Sequence, residues 1–511
     1  MTFTRRRTLQ LLGGSAVGLP ALGLGLPALK AAVTGKQIDT VGKVAFTNRV
    51  QAPPLAPSRI DREGRRVFKL NIREGRREFT AGRWSPTWGV NGDYLGPTLR
   101  AERGETVLFD VANDAGEATS LHWHGMHLPP TMDGGPHQTI AQGATWSPTW
   151  TIDQPAASLW YHPHPHGKTA QHLYRGVAGM FLIDDDDAAT AGSLPHQYGI
   201  DDVPVIVQDR RFIDGRVDPD EQMAGTTGFL GDELLVNGVH GPYLDVLTER
   251  IRLRLLNGSN ARVYNFHFAD NRTFHQIASD GGLLPTPHTT DRVQLAPGER
   301  AEIVVEVRAG ERLVLRSDSP ATGSGFVQQD GGSDRFDVLQ LRAASTLTAS
   351  PRIPTRLAHI PRIAETSATR TRTFELAEHR INGRQMQTDR IDVAVRKDTA
   401  EIWDVHSGDG TLHSFHVHDV QFQVLSVNGQ QPPPGLSGWK DTVLLPPGTA
   451  MSLIMRFTDY SDPNIPYMFH CHMLYHEDQG MMGQFVVLSP GQRVGGRPPR
   501  LPAHEEHAHH S

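Results

Sequence analysis

A turn followed by an apolar strand occurs three times along the chain: QGATWSPTWTI from Gln142, APGERAEIVVEV from Ala296 and PPGTAMSLIMRF from Pro446. Their glycines, Gly143, Gly298 and Gly448, stand 155 and 150 residues apart, about the length of one domain. A second phrase, an alternating strand ending in a polar turn, recurs as ETVLFDVAN from Glu105, RIRLRLLNGSN from Arg250 and AEIWDVHSGDG from Ala400. The 511-residue chain therefore reads as three copies of one unit, at about 46–186, 200–345 and 371–490. Within each copy, short Val/Ile/Leu-rich runs alternate with period two between Gly, Pro, Asn and Asp, which predicts an all-β fold of Greek-key sandwiches. The 51 Gly and 36 Pro disfavour helical bundles. Residues 35–60 read as an extended arm, Ala343 to Arg370 as a linker region (346–370 between the units), and 491–511 as a His-rich tail. The acidic run Asp184 to Asp187 reads as a solvated boundary.

The first residues, Thr4-Arg5-Arg6-Arg7-Thr8-Leu9 followed by a Gly-broken apolar run, have the form of a twin-arginine (Tat) signal peptide within 1–34. No other stretch approaches 18 apolar residues. Export to the periplasm or beyond, with no membrane span in the mature form, is the expectation. A formal charge of -6 without a basic stripe excludes nucleic acid as a partner. Cys471 is the single cysteine, so no intramolecular disulfide forms. A lone thiol in an exported chain is an oxidation liability unless buried or bound to metal.

The copies differ in histidine. Unit 1 carries HWHG at His122 and later WYHPHPHG; unit 3 carries HSFHVH at His413 and later MFHCHMLYH. Unit 2 has YNFHF and RLVLRSDSP in the corresponding places, and reads as a spacer without ligands. His122/His124, His162/His164, His416/His418 and His470/His472 are four i, i+2 pairs, and alternate residues of a strand share a face. Cys471, between His470 and His472, points the other way, so one segment reaches two centres.

Cys471, His476 and Met481 form a soft donor set suited to a mononuclear copper site, which needs one further imidazole. His413, three residues before His416, is the candidate. Eight histidines remain, enough for three coppers and poorly matched to calcium or magnesium. A structural zinc site takes four ligands and accounts for neither the Cys nor the Met.

These motifs, HWHG, HPH, HSFHVH and HCHMLYHEDQGM, together with LGPTLRAERGET, MDGGPHQ, LLNGSNAR and WKDTVLLPPG, resemble those of three-domain multicopper oxidases, in the branch of bacterial laccases and periplasmic copper efflux oxidases. The resemblance spans residues 46–490. It implies three cupredoxin-like domains and four coppers: type 1 on His413, Cys471, His476 and Met481; type 2 on His122 and His416; a type 3 pair on His124, His162, His164, His418, His470 and His472. It further implies that four one-electron oxidations are coupled to reduction of dioxygen to two waters, with electrons received at the exposed edge of a type 1 imidazole. Asp133 and Glu477 match positions the family uses for proton delivery. Asp409, four residues before His413, is a candidate for accepting a hydrogen bond from that ring or for holding a cationic substrate. His166 fits no ligand place and reads as a supporting or loop-packing residue, and His127 and His137 as surface or supporting residues.

Residues 345–450 hold a single methionine, Met386, whereas copper efflux oxidases of the family often carry a Met-rich insert there. Phenols and aromatic amines are therefore the expected donors, with Cu(I), Fe(II) or Mn(II) as the alternative, and a monomer is expected. Two other classes fit less well. Periplasmic division proteins of the same fold would have lost ligands, and copper nitrite reductases lack the HCH pair.

Overall fold

The computed structural model describes residues 37–184, 193–219, 227–323, 330–496 and 498. The proposed signal segment and, of the tail, residues 497 and 499–511 lie outside the described residues.

The repeated phrases are neighbours in space. Strand Thr106–Asp114 runs antiparallel to Thr145–Trp146 and Thr149–Thr151, Arg250–Asn257 to Arg300–Glu306, and Thr399–Ser407 to Ala450–Phe457. Each first strand also has a parallel neighbour, Arg66–Thr80, Asp202–Arg210 and Ala368–Ala377 respectively. The alternation has the expected cause: in Thr106–Asp114 Val107, Phe109 and Val111 face inward while the residues between them are half-exposed. The turn glycines Gly143, Gly298 and Gly448 all have positive φ, 74°, 86° and 69°, where a Cβ would be strained.

A second sheet faces each of these. In the first sandwich its order is Leu99–Glu102, Gly179–Asp184, Ala157–His162, His122–His124, and in the third Val393–Arg396, Met482–Leu488, Tyr467–Cys471, His413–Val417, Thr442–Leu445. The fold is all-β and cupredoxin-like. Asn48–Arg49, inside the span read as unit 1, pairs instead with Pro242–Thr248 of the second sandwich, so the arm ties the second body to the first. Of the linker, Leu357 packs with Ile277 and Val304, and Ile363 with Ala400 and Ile454. Asp184 of the acidic run pairs with Arg100 at 2.6 Å.

The first and third sandwiches share one apolar core, from Phe68 and Trp123 through Phe415 and Phe485, whereas the second has its own. Six elements carry the site: β1 (His122–His124), β2 (Ala157–His162), α1 (Thr169–Arg175), β3 (His413–Val417), β4 (Tyr467–Cys471) and α2 (Leu474–Asp478). Asp478 caps α1 from the other body, accepting the N–H groups of Thr169 at 2.9 Å and Ala170 at 3.0 Å. A carboxylate there satisfies helix-end donors and favours the positive end of the dipole.

Candidate metal centre

β1 lies antiparallel to β2 with His122 opposite His162, and β3 to β4 with His416 opposite His470. The intervening Trp123 and Val417 point into the shared core, which turns the histidines the other way. The four pairs meet between the two bodies, and all eight rings are at most 1% exposed.

Six of the rings have one nitrogen fixed from outside by a hydrogen bond. The Nδ1–H of His122 donates to the carbonyl of Asp133 at 2.8 Å, of His416 to the carbonyl of Asp441 at 2.8 Å, and of His162 to the carbonyl of Pro163 at 2.8 Å. His418 Nδ1–H donates to the Asp133 carboxylate at 2.8 Å, and His124 Nε2–H to that of Asp441 at 3.1 Å. His470 Nδ1–H donates to the carbonyl of Cys471 at 3.1 Å, and the two Glu477 oxygens lie 3.3 Å from Nδ1 of His164 and of His470 as ion-pair neighbours. These acceptors fix the tautomers and leave the opposite nitrogens as inward lone pairs. His122 Nε2, His164 Nδ1, His416 Nε2 and both nitrogens of His472 have no hydrogen-bond partner. The inward atoms converge: His124 Nδ1 is 3.3 Å from His162 Nε2, and His470 Nε2 is 3.3 Å from His164 Nε2 and 3.2 Å from His418 Nε2. Metal–nitrogen bonds of about 2.0 Å at tetrahedral angles give a separation of about 3.3 Å. Burial, and then the neighbouring imidazoles, hold the rings of His124, His162, His416 and His472 well below the usual histidine range, so they are neutral and ready to bind a cation.

A second group lies behind β4. Cys471 Sγ is 3.7 Å from His413 Nδ1 and 3.5 Å from His476 Nδ1, against about 3.5 Å for a sulfur and a nitrogen on one tetrahedral ion. The backbone brings Met481 to the same place: its carbonyl accepts the Cys471 N–H at 3.1 Å, and its N–H donates to the carbonyl of His476 at 2.9 Å. Met481 is fully buried. Burial pushes the Cys471 thiol up to about 12, so an incoming metal displaces its proton.

Models of the multicopper oxidase family match residues 71–188 and 352–491. The chain is 34% identical over 449 residues to "Multicopper oxidase mco" of Staphylococcus epidermidis, covering 86% of this chain and 93% of that one. The chain belongs to the multicopper oxidase family. The structure of a laccase-like multi-copper oxidase from Ochrobactrum sp. superposes with a TM-score of 0.78 at 37% identity, covering 86% of this chain and 99% of that one. "Cell division protein FtsP" of Salmonella typhimurium is 36% identical over 494 residues, 95% of this chain and 99% of that one.

The carboxylates of the site divide into inner and outer ones. Asp133 and Glu477 are buried at 1% exposure. Burial raises both carboxyls, but the facing imidazoles, His418 and His122 for Asp133 and His164 and His470 for Glu477, outweigh it and hold both below their usual range. Asp409 Oδ1 accepts from His413 Nε2–H at 3.1 Å, and its side chain is 22% exposed. Burial raises this carboxyl too; the His413 hydrogen bond, with the backbone N–H groups of Glu378 and Thr411, brings it below the usual range.

Neither imidazole at Cys471 has an exposed edge, because His413 and His476 are 0% and 1% exposed. The expected open edge is covered by the half-buried His379, whose ring centre is 4.8 Å from that of His476. His379 and Glu378 form the two-residue turn between Ala377 and Arg380 and both have positive φ, 56° and 50°. Turns of this form ordinarily take Asn-Gly, and non-glycine residues stay there only when held; the Glu378 N–H donates to Asp409 at 2.9 Å. The pair of non-glycine residues in such a tight turn, with no local motif, gave no sequence signal. His127, in the loop after β1, is a supporting residue and not a surface one: its ring joins Asp419 at 2.7 Å and Asp459 at 3.0 Å of the third body. His137 bonds Gln484, and His166 lies in the loop before α1.

Proposed function

We propose that the chain is an exported copper-dependent oxidase of laccase type, coupling four one-electron oxidations of phenols or aromatic amines to reduction of dioxygen to two waters. The observation that carries it is the complete set of twelve ligand side chains, with inward lone pairs and no protein partners for several of them. His413, Cys471, His476 and Met481 would hold a type 1 copper, His122 and His416 a type 2 copper, and His124, His162, His164, His418, His470 and His472 a type 3 pair. When bound, copper supplies the one-electron redox steps and the reduction of dioxygen.

The chain's own groups do the rest. Cys471 and its peptide neighbours His470 and His472 join the two centres covalently. Asp133 and Glu477 sit against the rings of the inner cluster, where they hold tautomers and are the nearest carboxylates for passing protons inward. On the donor side, Asp409 is an anionic acceptor half-open to solvent beside His413. It would take the hydroxyl proton of a phenol or pair with an amine cation, while His379 offers a ring face over His476.

The methionines bear on the donor. Met386 is buried with Met468 and Met482, so its sulfur is not displayed for gathering cuprous ions, and phenols lead over Cu(I), Fe(II) or Mn(II). A second reading, a non-catalytic cell-division protein, is favoured by the near full-length similarity to the FtsP protein. Oxygen consumption by the copper-loaded chain with a phenol, and then with Cu(I), tests both. Turnover with the phenol supports the laccase reading, turnover only with Cu(I) the metallo-oxidase, and neither the division protein.

A further inference from the structure

The second sandwich, which carries no ligand, reaches the inner cluster through its copy of the repeated turn. A Cβ on Gly298 would lie 3.1 Å from three atoms of the His472 ring, so backbone of the second body packs flat on that imidazole. The neighbouring Pro297 carbonyl accepts from Ser414 Oγ at 3.0 Å. Two residues on, Arg300 is fully buried, and its two terminal nitrogens each lie 2.7 Å from an oxygen of Asp441. Its Nε–H donates to the carbonyl of Ser158 in the first body at 2.9 Å. Such a planar two-point pairing fixes direction as well as charge.

Asp441 passes that direction on. Its carboxylate accepts from His124 of the first body, and its carbonyl from His416 of the third. The glycine of HWHG has its reason here: a Cβ on Gly125 would lie 2.5 Å from Asp441 Oδ2 and 2.8 Å from Arg300 Nη2. Behind the pair, Lys440 Nζ lies 2.9 Å from Asp280 and 2.7 Å from Glu299, and Asp280 accepts the Arg300 N–H at 2.8 Å. The buried group thus sets three carboxylates, Asp280, Glu299 and Asp441, around two cations, beside a cluster built to hold cations.

We propose that Arg300 is a positioning residue for the trinuclear cluster: it holds Asp441 so that His124 keeps its Nε2–H outward and its Nδ1 inward. The second domain is then the third wall of the site rather than a spacer. This rests on the oxidase reading. A role confined to tying the domains together would change stability and leave the spectrum of the cluster alone.

The test compares the full copper-loaded chain with Arg300→Met and with Arg300→Met/Asp441→Asn, which removes both charges of the Arg300–Asp441 pair together and keeps an amide carbonyl for His124. Copper per chain, the blue absorption of the type 1 site and the type 2 paramagnetic resonance signal are read alongside circular dichroism. Arg300→Met is expected to keep the blue absorption, to bind trinuclear copper about 10–100-fold more weakly and to show an altered type 2 signal. If that variant does not fold, the double variant carries the test, with the same split between an intact blue band and an altered type 2 signal. A type 2 signal and copper content identical to the unmodified chain in the folded variant overturn the proposal. An unmodified chain that takes up no copper overturns the oxidase reading, and this inference with it.

Discussion

In the first sandwich His122 faces His162, and in the third His416 faces His470, in the same register. The residue between the later pair is Pro163 in one and Cys471 in the other. Three residues before the first histidine stands Thr119 in one and His413 in the other. In the third body Cys471, His413 and His476 of α2 converge as a donor set. In the first, Thr119 Oγ is instead bonded to His172 of α1 at 2.9 Å, and the equivalent space is closed by a hydrogen bond between neutral groups. One scaffold thus carries half of a shared cluster twice, while two matched substitutions, Cys471 for Pro163 and His413 for Thr119, together with His476, set a second donor group behind it in the third body alone.

The sharpest break in that comparison is Cys471→Ser. It is expected to abolish the blue absorption and reduce oxygen consumption to background while copper bound by the eight inner histidines remains, as metal analysis would report. Asp133→Asn comes next: dioxygen reduction should slow by about 10–100-fold with the blue band unchanged, and unaltered turnover would remove Asp133 from the proton path. His379→Ala, which uncovers His476, should change KM for a phenol severalfold, leave copper content alone and alter the blue band little.

His127 joins the two bodies at their rim. Burial lowers its pKa, but Asp419 and Asp459 outweigh this and raise it to about 9. Its contribution is therefore complete below about pH 6.5, the unfolded value, and disappears as pH rises through about 9. Chemical denaturation should lose about 1–3 kcal/mol over that window, and His127→Gln should flatten the dependence. The smallest effect is the converse of the first: Pro163→Cys should produce no second blue centre, because Thr119 occupies the place of His413. Appearance of such a band would show that the thiol alone makes the difference between the two bodies.

Much of this comparison is legible in the chain, for a physical reason. Strand alternation places His470 and His472 on one face and Cys471 on the other, so spacing alone separates two donor sets, and the threefold phrase identifies the strands that become neighbours. Contacts made by single residues across domain boundaries carry no period. Asp441 lies within the WKDTVLLPPG motif, but its partners Arg300 and His124 are 141 and 317 residues away. His379 sits in a turn whose backbone conformation its residue types do not announce. The arm shows the same limit, since Asn48–Arg49 pairs with a strand almost 200 residues on, where nothing in its short sequence distinguishes one sheet edge from another.

The most direct measurement is the absorption and paramagnetic resonance spectrum of the copper-loaded full chain, taken with its copper content. Four coppers per chain, an intense blue band and a distinct type 2 signal are the predicted result. A colourless protein with little bound copper would contradict the account and leave the fold without its oxidase chemistry.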